Sequence, residues 1–581
     1  MLDKSQKKAI ETKNKSVLVC AGPGSGKTRT LVYKIFHLLK NNINPNNILV
    51  LTFTNKAARE IKNRVKNLLK DNTNQLPFIG TIHAFSLKII KEYSKNKIII
   101  LDYFDQKYIL KKIKARNNYK GKITNFVKYI RQCKQNTLDS TDTKLNKISS
   151  EYNKMLKDNN SFDFDDLQIE SLKLIKKISK ISKQYKYILV DEYQDINYIQ
   201  NDIIHNLTYP NDNVFFIGDL DQSIYGFRGS NPEIFLNFKK EYLDSRIIRL
   251  EKNYRSSKSI IKSSLSLIKN NKNRTNIIYN GIKKPDNKVH IIQCTNNKDE
   301  AKYISNTIEN LIGGTTLIHT QQDISDSQEY LFSNFAVLFR KNSFSKYLEG
   351  EFLHKGIPYQ IVGKNSFWEK EEIRTVLLIL KYICTKSKFF KEKLYKTNLD
   401  LKKIKILENS RMDNMKIPDL IDEFNIREIY DYEESTQNID RLLNIIKDTK
   451  FSTYDELLSI LSLQSRETYI NQKANCVKLM TLHQTKGLEF ENVFISGCEQ
   501  GFIPLEKNDD EVNIEEERRL LYVGITRAQT NLYLTYTNKR LIWGKKYDRS
   551  PSRFLKEIDD KYIEKITFEK KRKKKDQIKL F

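Results

Sequence analysis

The sequence predicts an α/β protein built on two parallel β-sheets, each interrupted by a helical insertion. Three observations carry this. The apolar run Val17-Leu18-Val19-Cys20 leads into the glycine-rich turn Ala21-Gly22-Pro23-Gly24-Ser25-Gly26-Lys27-Thr28, and a helically spaced stretch follows from Thr30 to Ile35. Strand, loop and helix in that order open a parallel sheet. Short apolar runs then alternate with helical patterns in two sets, one before and one after a polar stretch at 270–288 that contains Pro285 and reads as a linker. Each set is broken by a charged stretch of helical period: 101–185, Lys-rich and nearly free of Gly and Pro, and 376–471.

The elements follow in order. After Val17–Cys20 come Ile48-Leu49-Val50-Leu51-Thr52-Phe53 and Phe78-Ile79-Gly80-Thr81-Ile82-His83-Ala84-Phe85, with Thr54 to Ile61 opening a helix between them. The first set resumes at Tyr187–Val190, Val214–Ile217 and Ile247–Leu250. The second comprises Val289–Ile292, Phe335–Phe339, Tyr359–Val362, Val477–Met480, Val493–Ile495 and Leu532–Leu534. The expected division is a first sheet domain at 1–100 and 186–275 with its insertion at 101–185. A second sheet domain takes 276–375 and 472–560, with its insertion at 376–471. The stretch 561–581 is expected to be a basic, disordered tail.

Hydrophobic residues at 39% and aromatic residues at 11% of 581 describe a folded chain with several cores. Lys and Arg number 102 against 71 acidic residues, a net charge of +31 that favours a polyanion such as nucleic acid. Lys, Asn, Ile and Tyr are all abundant, as codon drift in an AT-rich genome would make them, so charge alone identifies no partner. The six cysteines form no CxxC pair and the seven histidines show no metal-ligand spacing, which argues against a disulfide framework or a zinc cluster. No apolar run reaches membrane-spanning length and no signal-peptide core opens the sequence. A soluble protein of the cytoplasm is expected, nucleoid-associated if bacterial.

The glycine-rich turn suits a nucleotide phosphate. Its backbone N–H groups can curl around the oxygens, and the helix N-terminus adds partial positive charge. Lys27 is expected to neutralise the β- and γ-phosphates and the Thr28 hydroxyl to hold Mg²⁺; Arg29 follows directly. The first position is Ala21 where the strict pattern has Gly. The strand Tyr187–Val190 ends in Asp191 and Glu192, one carboxylate for the metal and one for the attacking water. Gln6 carries an amide able both to donate to and accept from the edge of adenine.

More specific stretches stand further along: Tyr193-Gln194-Asp195, Gly218-Asp219-Leu220-Asp221-Gln222-Ser223-Ile224-Tyr225-Gly226-Phe227-Arg228-Gly229, Leu250 to Ser256, His483 to Phe490, Glu517 to Ala528 and Ser552-Arg553-Phe554-Leu555. With these, and Thr52 to Ala58, the chain resembles the UvrD/Rep/PcrA-type superfamily 1 DNA helicases from residue 2 to about 557, its motifs in family order. The resemblance implies two RecA-like motor domains around an ATP cleft. It implies Arg255 and Arg527 as arginine fingers, Gln222 as γ-phosphate sensor, Tyr254 stacked on adenine and Glu489 near the ribose. Phe53, Tyr225 and Phe227 match base-stacking positions, with Phe227 where relatives generally carry Trp. Arg228 suits a backbone contact, Thr81 and His83 match a phosphate-contacting segment, and Thr54, Asn55 and His483 join the expected DNA contacts.

ATP and Mg²⁺ are therefore the expected cofactors, and single-stranded DNA with its duplex junctions the expected partner. Activity is expected to be 3′→5′ translocation with unwinding in repair or replication restart. A translocase that strips proteins from DNA with little unwinding is the alternative. An RNA-directed helicase is a further one, against which the Gln222–Tyr225 stretch stands. The second insertion is shorter than relatives carry and lacks their Gly-Ile-Gly hairpin motif, which favours translocation over processive unwinding. No nuclease-like constellation follows residue 557. At the end, Lys570 to Lys575 leads into Gln577-Ile578-Lys579-Leu580-Phe581. This resembles peptides that dock on bacterial sliding clamps, with Gln577 for a polar notch and Leu580 and Phe581 for an apolar pocket. A nuclear-localisation signal and a frayed tail compete with that reading.

Overall fold

A computed structural model describes residues 2–568 except 13–14, 71–74, 95–98, 136–141, 209–212, 276, 278, 314–329, 364–366, 410–414, 448, 450, 452, 465–473, 507–512 and 543. The clamp-like ending at Gln577, Leu580 and Phe581 lies outside the described residues.

The first sheet has six parallel strands: β1 (Ser16–Ala21), β2 (Ile48–Thr52), β3 (Phe78–Thr81), β4 (Tyr187–Val190), β5 (Val214–Gly218) and β6 (Ser245–Leu250), in the order β3-β2-β4-β5-β1-β6. Period two sends Val17, Val19, Ala21, Ile48 and Val50 to one face, where Leu31, Ile35, Ile61 and Val65 cover them. Leu18, Cys20, Leu49 and Leu51 go to the other, under Phe85, Ile89, Ile203 and Ile204. Burial on both faces is why these strands read as unbroken apolar runs.

The second sheet contains β7 (Val289–Asn296), β8 (Phe335–Phe339), β9 (Tyr359–Ile361), β10 (Val477–Thr481), β11 (Phe490–Ile495), β12 (Ala528–Ile542), β13 (Lys545–Asp548) and β14 (Ile563–Phe568). Its order is β9-β10-β8-β11-β12-β7-β14, parallel throughout, with β13 folded back antiparallel onto β12.

Three expectations are corrected. The run Phe78–Phe85 is strand only to Thr81, whose hydroxyl accepts from Ala84 N at 3.1 Å and caps the helix Ile82–Tyr93. The supposed linker at 270–288 buries Ile277 and Tyr279, and its Asn280–Lys283 pairs in parallel with the strand Lys252–Ser257. Residues 563–568 are an edge strand rather than tail, because β14 hydrogen-bonds along β7 and Ile563 joins the second core.

The insertions are not separate bundles. Ile109, Ile113, Phe126 and Tyr152 of the first share one hydrophobic core with Ile379, Phe389, Phe390 and Leu442 of the second. Polar contacts reinforce it: Asp105, 1% exposed, binds Lys381 at 2.5 Å and also Lys393, and Arg374 lies 4.5 Å over the Phe104 ring. Among the described residues no helix is long and apolar enough to cross a membrane.

Candidate active site

The glycine-rich loop joins the end of β1 to the helix Lys27–Lys40 at the carboxyl edge of the first sheet. Gly24 and Gly26 have φ of +63° and +82°, which glycine adopts without strain. Gly24 is also needed for space, since a Cβ there would lie 2.5 Å from Arg255 Cβ. No side chain caps the helix, so its first N–H groups are left to the loop's concave side. Lys27 Nζ lies over the loop, 3.3 Å from the Ala21 and Gly22 carbonyls; burial pushes its pKa down, and Glu192 and Asp219 oppose that. Ser25 Oγ ties back to Gly22 O at 2.7 Å, so Pro23 and Ser25 serve the loop's own shape.

The expected base-side residues gather here. Gln6 is buried, with Nε2 donating to Ser25 O at 3.0 Å and Oε1 accepting from Asp3 N at 3.1 Å, so its amide braces the loop. Tyr254 N donates to Gly24 O at 2.9 Å and its hydroxyl to Asp3 at 2.8 Å, leaving the ring 44% exposed at the loop's mouth. Arg29 is exposed beside it, 5.9 Å from the Tyr33 ring. Asn253 was not legible in sequence. It is fully buried, donates to Pro23 O, and accepts from the N–H groups of Arg255 and Ser256 at 2.9 and 2.8 Å.

Asp191 and Glu192 stand beyond β4, as expected. Burial and then the Glu192 charge push Asp191 up to about 7, and its Oδ1 is buried without a hydrogen-bond partner. An orphaned carboxylate oxygen in the field of Lys27 is a hard oxygen donor of the kind Mg²⁺ takes. Burial would raise Glu192 as well, but Lys486 and Lys27 override it and hold the carboxyl at about 2. Glu192 has φ of +53°, a left-handed backbone that places it over the site, and Gln194 joins it to Asp219: Nε2 donates to Glu192 and Oε1 accepts from Asp219 N at 3.0 Å.

The second sheet domain closes this site. Arg527 is buried and reaches Gln222 Oε1 at 3.4 Å; burial, then Arg255, push its pKa down to about 9. Arg255 binds Glu489 at 2.6 Å and Thr526 O at 3.3 Å, so Glu489 meets an arginine in this state. Gln222 Nε2 donates to Asp219 at 2.6 Å. Lys486, within the His483–Phe490 motif, crosses as well: it pairs with Asp195, lies 3.8 Å from Glu192 and donates to Gln222 O at 2.8 Å. Lys27, Arg255 and Arg527 thus lie close enough to repel one another, offset in part by Glu192, Asp219 and Glu489, and a phosphate anion would relieve that repulsion further.

The expected DNA residues line one cavity of about 1200 Å³, which Tyr103, Phe104, Arg131, Trp368 and Arg441 of the insertions also border. Phe53 stacks on Tyr225 at 4.7 Å. Tyr225 is only 9% exposed, with Lys486 5.2 Å and Arg228 5.1 Å from its ring, so it backs Phe53 rather than offering a free face. Phe227 is 56% exposed and meets His483 edge-on at 5.5 Å. Burial, with Arg340 and Arg228, pushes His483 down to about 3, so it is a neutral wedge behind Phe227. Thr54 and Thr81 hydroxyls cap helices beginning at the cavity wall, Asn55 is the first residue of one, and His83 contacts Gln168 at 2.6 Å.

Comparison with known proteins identifies both halves of the chain. The UvrD/REP helicase N-terminal domain matches residues 2–243, and the UvrD-like helicase C-terminal domain matches 248–436 and 425–539. A probable DNA helicase II homolog of Mycoplasma capricolum is 32% identical across 96% of this chain and 87% of its own length. The ATP-dependent DNA helicases PcrA of Staphylococcus aureus and Staphylococcus epidermidis are each 29% identical, over 97% and 98% of this chain and 87% and 88% of theirs. Two sheets with a phosphate loop on one and an arginine from the other, matched over nearly the whole length, place the chain in the UvrD/Rep helicase family.

Proposed function

We propose that this chain is an ATP-driven motor that translocates 3′→5′ on single-stranded DNA and separates duplex ahead of it, in repair or replication restart. The first motor domain is taken as 1–100 with 186–275, and the second as 276–375 with 472–560 and the edge strand that extends it to 568. The observation that supports this best is the continuous contact path from Arg527 through Gln222 and Lys486 to Tyr225 and Phe227, which joins the nucleotide cleft to the aromatic cavity.

Bound ATP with Mg²⁺ supplies the phosphoanhydride bond, with Thr28 and Asp191 as the metal's holders. The loop N–H groups and Lys27 bind the phosphates, and the ionised Glu192 orients the attacking water. Arg255 and Arg527 meet charge that develops on the γ-phosphate. Tyr254 offers its ring at the adenine end. Exposed Phe227 and partly buried Phe53 take base faces, while the helix N-termini at Thr54 and Thr81 face the backbone phosphates.

Translocation with little unwinding is the second reading. It is favoured by the second insertion, whose apolar surface is spent against the first. ATPase rates with single-stranded DNA and with RNA, beside strand displacement on a 3′-tailed duplex, separate the readings. ATPase stimulated by DNA without displacement selects the second, and stimulation by RNA alone overturns both. Clamp docking by Gln577, Leu580 and Phe581 is a further proposal. Removing the last five residues should abolish clamp recovery in a pull-down, and equal recovery ends the idea.

A further inference from the structure

One helix, Ile514–Ile525, touches both ends of the contact path. Just past its C-terminus lie Thr526 and Arg527, which meet Arg255 and Gln222 in the nucleotide cleft. In its first turn, Glu516 Oε1 accepts from Gly226 N at 3.0 Å. Gly226 opens the short 3₁₀ turn Gly226–Arg228 that carries Phe227. The fit is close: a Cβ on Gly226 would lie 2.7 Å from a Glu516 oxygen. The opposite side of the same turn is held by the first insertion, where Arg131 reaches Phe227 O at 3.4 Å and Gln135 fills the space a Gly229 Cβ would need. Glu515 and Glu517, the neighbours of Glu516, are engaged elsewhere, on Lys272 N at 2.8 Å and Arg340 at 2.7 Å. Twelve residues at about 1.5 Å each make a rod of about 18 Å.

We infer that Glu516 is a positioning residue that transmits cleft closure to the base-stacking ring. The helix carries the arginine finger at one end and the hold on the Phe227 turn at the other. Movement of the second motor domain toward ATP therefore moves the ring's support by the same rigid body. Glu516 touches neither nucleotide nor base; it acts through the Gly226 N–H. This rests on the motor reading proposed above.

The test compares full-length wild type with Glu516→Ala, Glu516→Gln and Gly226→Ala. The readouts are ATP consumed per nucleotide advanced on single-stranded oligonucleotides of graded length, and the DNA concentration for half-maximal ATPase. Glu516→Ala should raise both about three- to tenfold, the loss expected of one solvent-exposed hydrogen bond of ordinary strength. Glu516→Gln keeps an acceptor oxygen and should restore both to within about twofold of wild type. Gly226→Ala breaks the contact from the other side and should reproduce the Ala phenotype, which covers the case of a Glu516→Ala protein that does not fold. Unchanged coupling in a folded Glu516→Ala or Gly226→Ala, or a Gln variant as defective as Ala, overturns the assignment. A wild-type ATPase that single-stranded DNA does not stimulate would sink the motor reading itself, which distinguishes the two failures.

Discussion

Asp191 and Glu192 are adjacent acids in one buried site, yet their surroundings separate them: burial lifts Asp191 to about 7, while Lys486 and Lys27 hold Glu192 at about 2. In the proposed mechanism Glu192 orients the water, and Asp191 is left to a metal whose charge would favour its carboxylate form. Glu192→Gln should therefore lower DNA-stimulated ATP hydrolysis by about 10²-fold or more in steady-state assays, with single-strand affinity kept. Arg527→Ala should cost about 10³-fold in the same assay, since a missing finger leaves the γ-phosphate charge unmet. Phe227→Ala should weaken single-strand binding by about 1–3 kcal/mol in a fluorescence titration while ATPase without DNA persists. Lys27, Thr28, Asp191 and Glu192 were expected from loop chemistry and strand-end acids, and Arg527 from the family resemblance; the structure brings Lys27, Glu192 and Arg527 into one charged cluster. Lys486, Asn253 and Glu516 were not expected. Each acts on a partner more than 200 residues away, as in Lys486 on Asp195 and Gly226 on Glu516; Lys486 and Asn253 lie inside recognisable motifs, but the motif does not name the distant partner.

At the scale of elements, the strands buried on both faces were plain in the sequence, and the misreadings have local causes. Ile82 to Phe85 continues the apolar run of β3, but the Thr81 cap turns that chemistry into a helix. The stretch at 270–288 is polar overall, yet Ile277 and Tyr279 bury, and the Tyr279 ring lies where a Cβ on Gly22 would be. The joining of the two insertions was invisible, because each alone reads as charged helices. Its polar centre gives a test. Burial would raise the Asp105 carboxyl, but Lys381 and Lys393 override it and hold it well below the usual range. Such a group contributes stability that is complete above the unfolded pKa of about 3.9 and is lost as pH falls through the lower folded value. Asp105→Ala should destabilise by about 3 kcal/mol in denaturant titrations at pH 7, and the gap to wild type should shrink only below about pH 4.

For the whole molecule, the two motor sheets meet at the nucleotide cleft, and the insertions, joined by one core, line the aromatic cavity beside it; the proposed motor turns closure of that cleft into movement along a strand. The fold class was readable from the two sets of apolar runs and the motifs; the roof over the channel required coordinates. The most direct test follows ATP-driven movement on oligonucleotides of increasing length with a fluorophore at the 5′ end, by stopped flow. A signal whose lag grows linearly with length, and is absent when the fluorophore is at the 3′ end, is the predicted result. ATP hydrolysis with no length-dependent lag at either end would contradict a translocating motor.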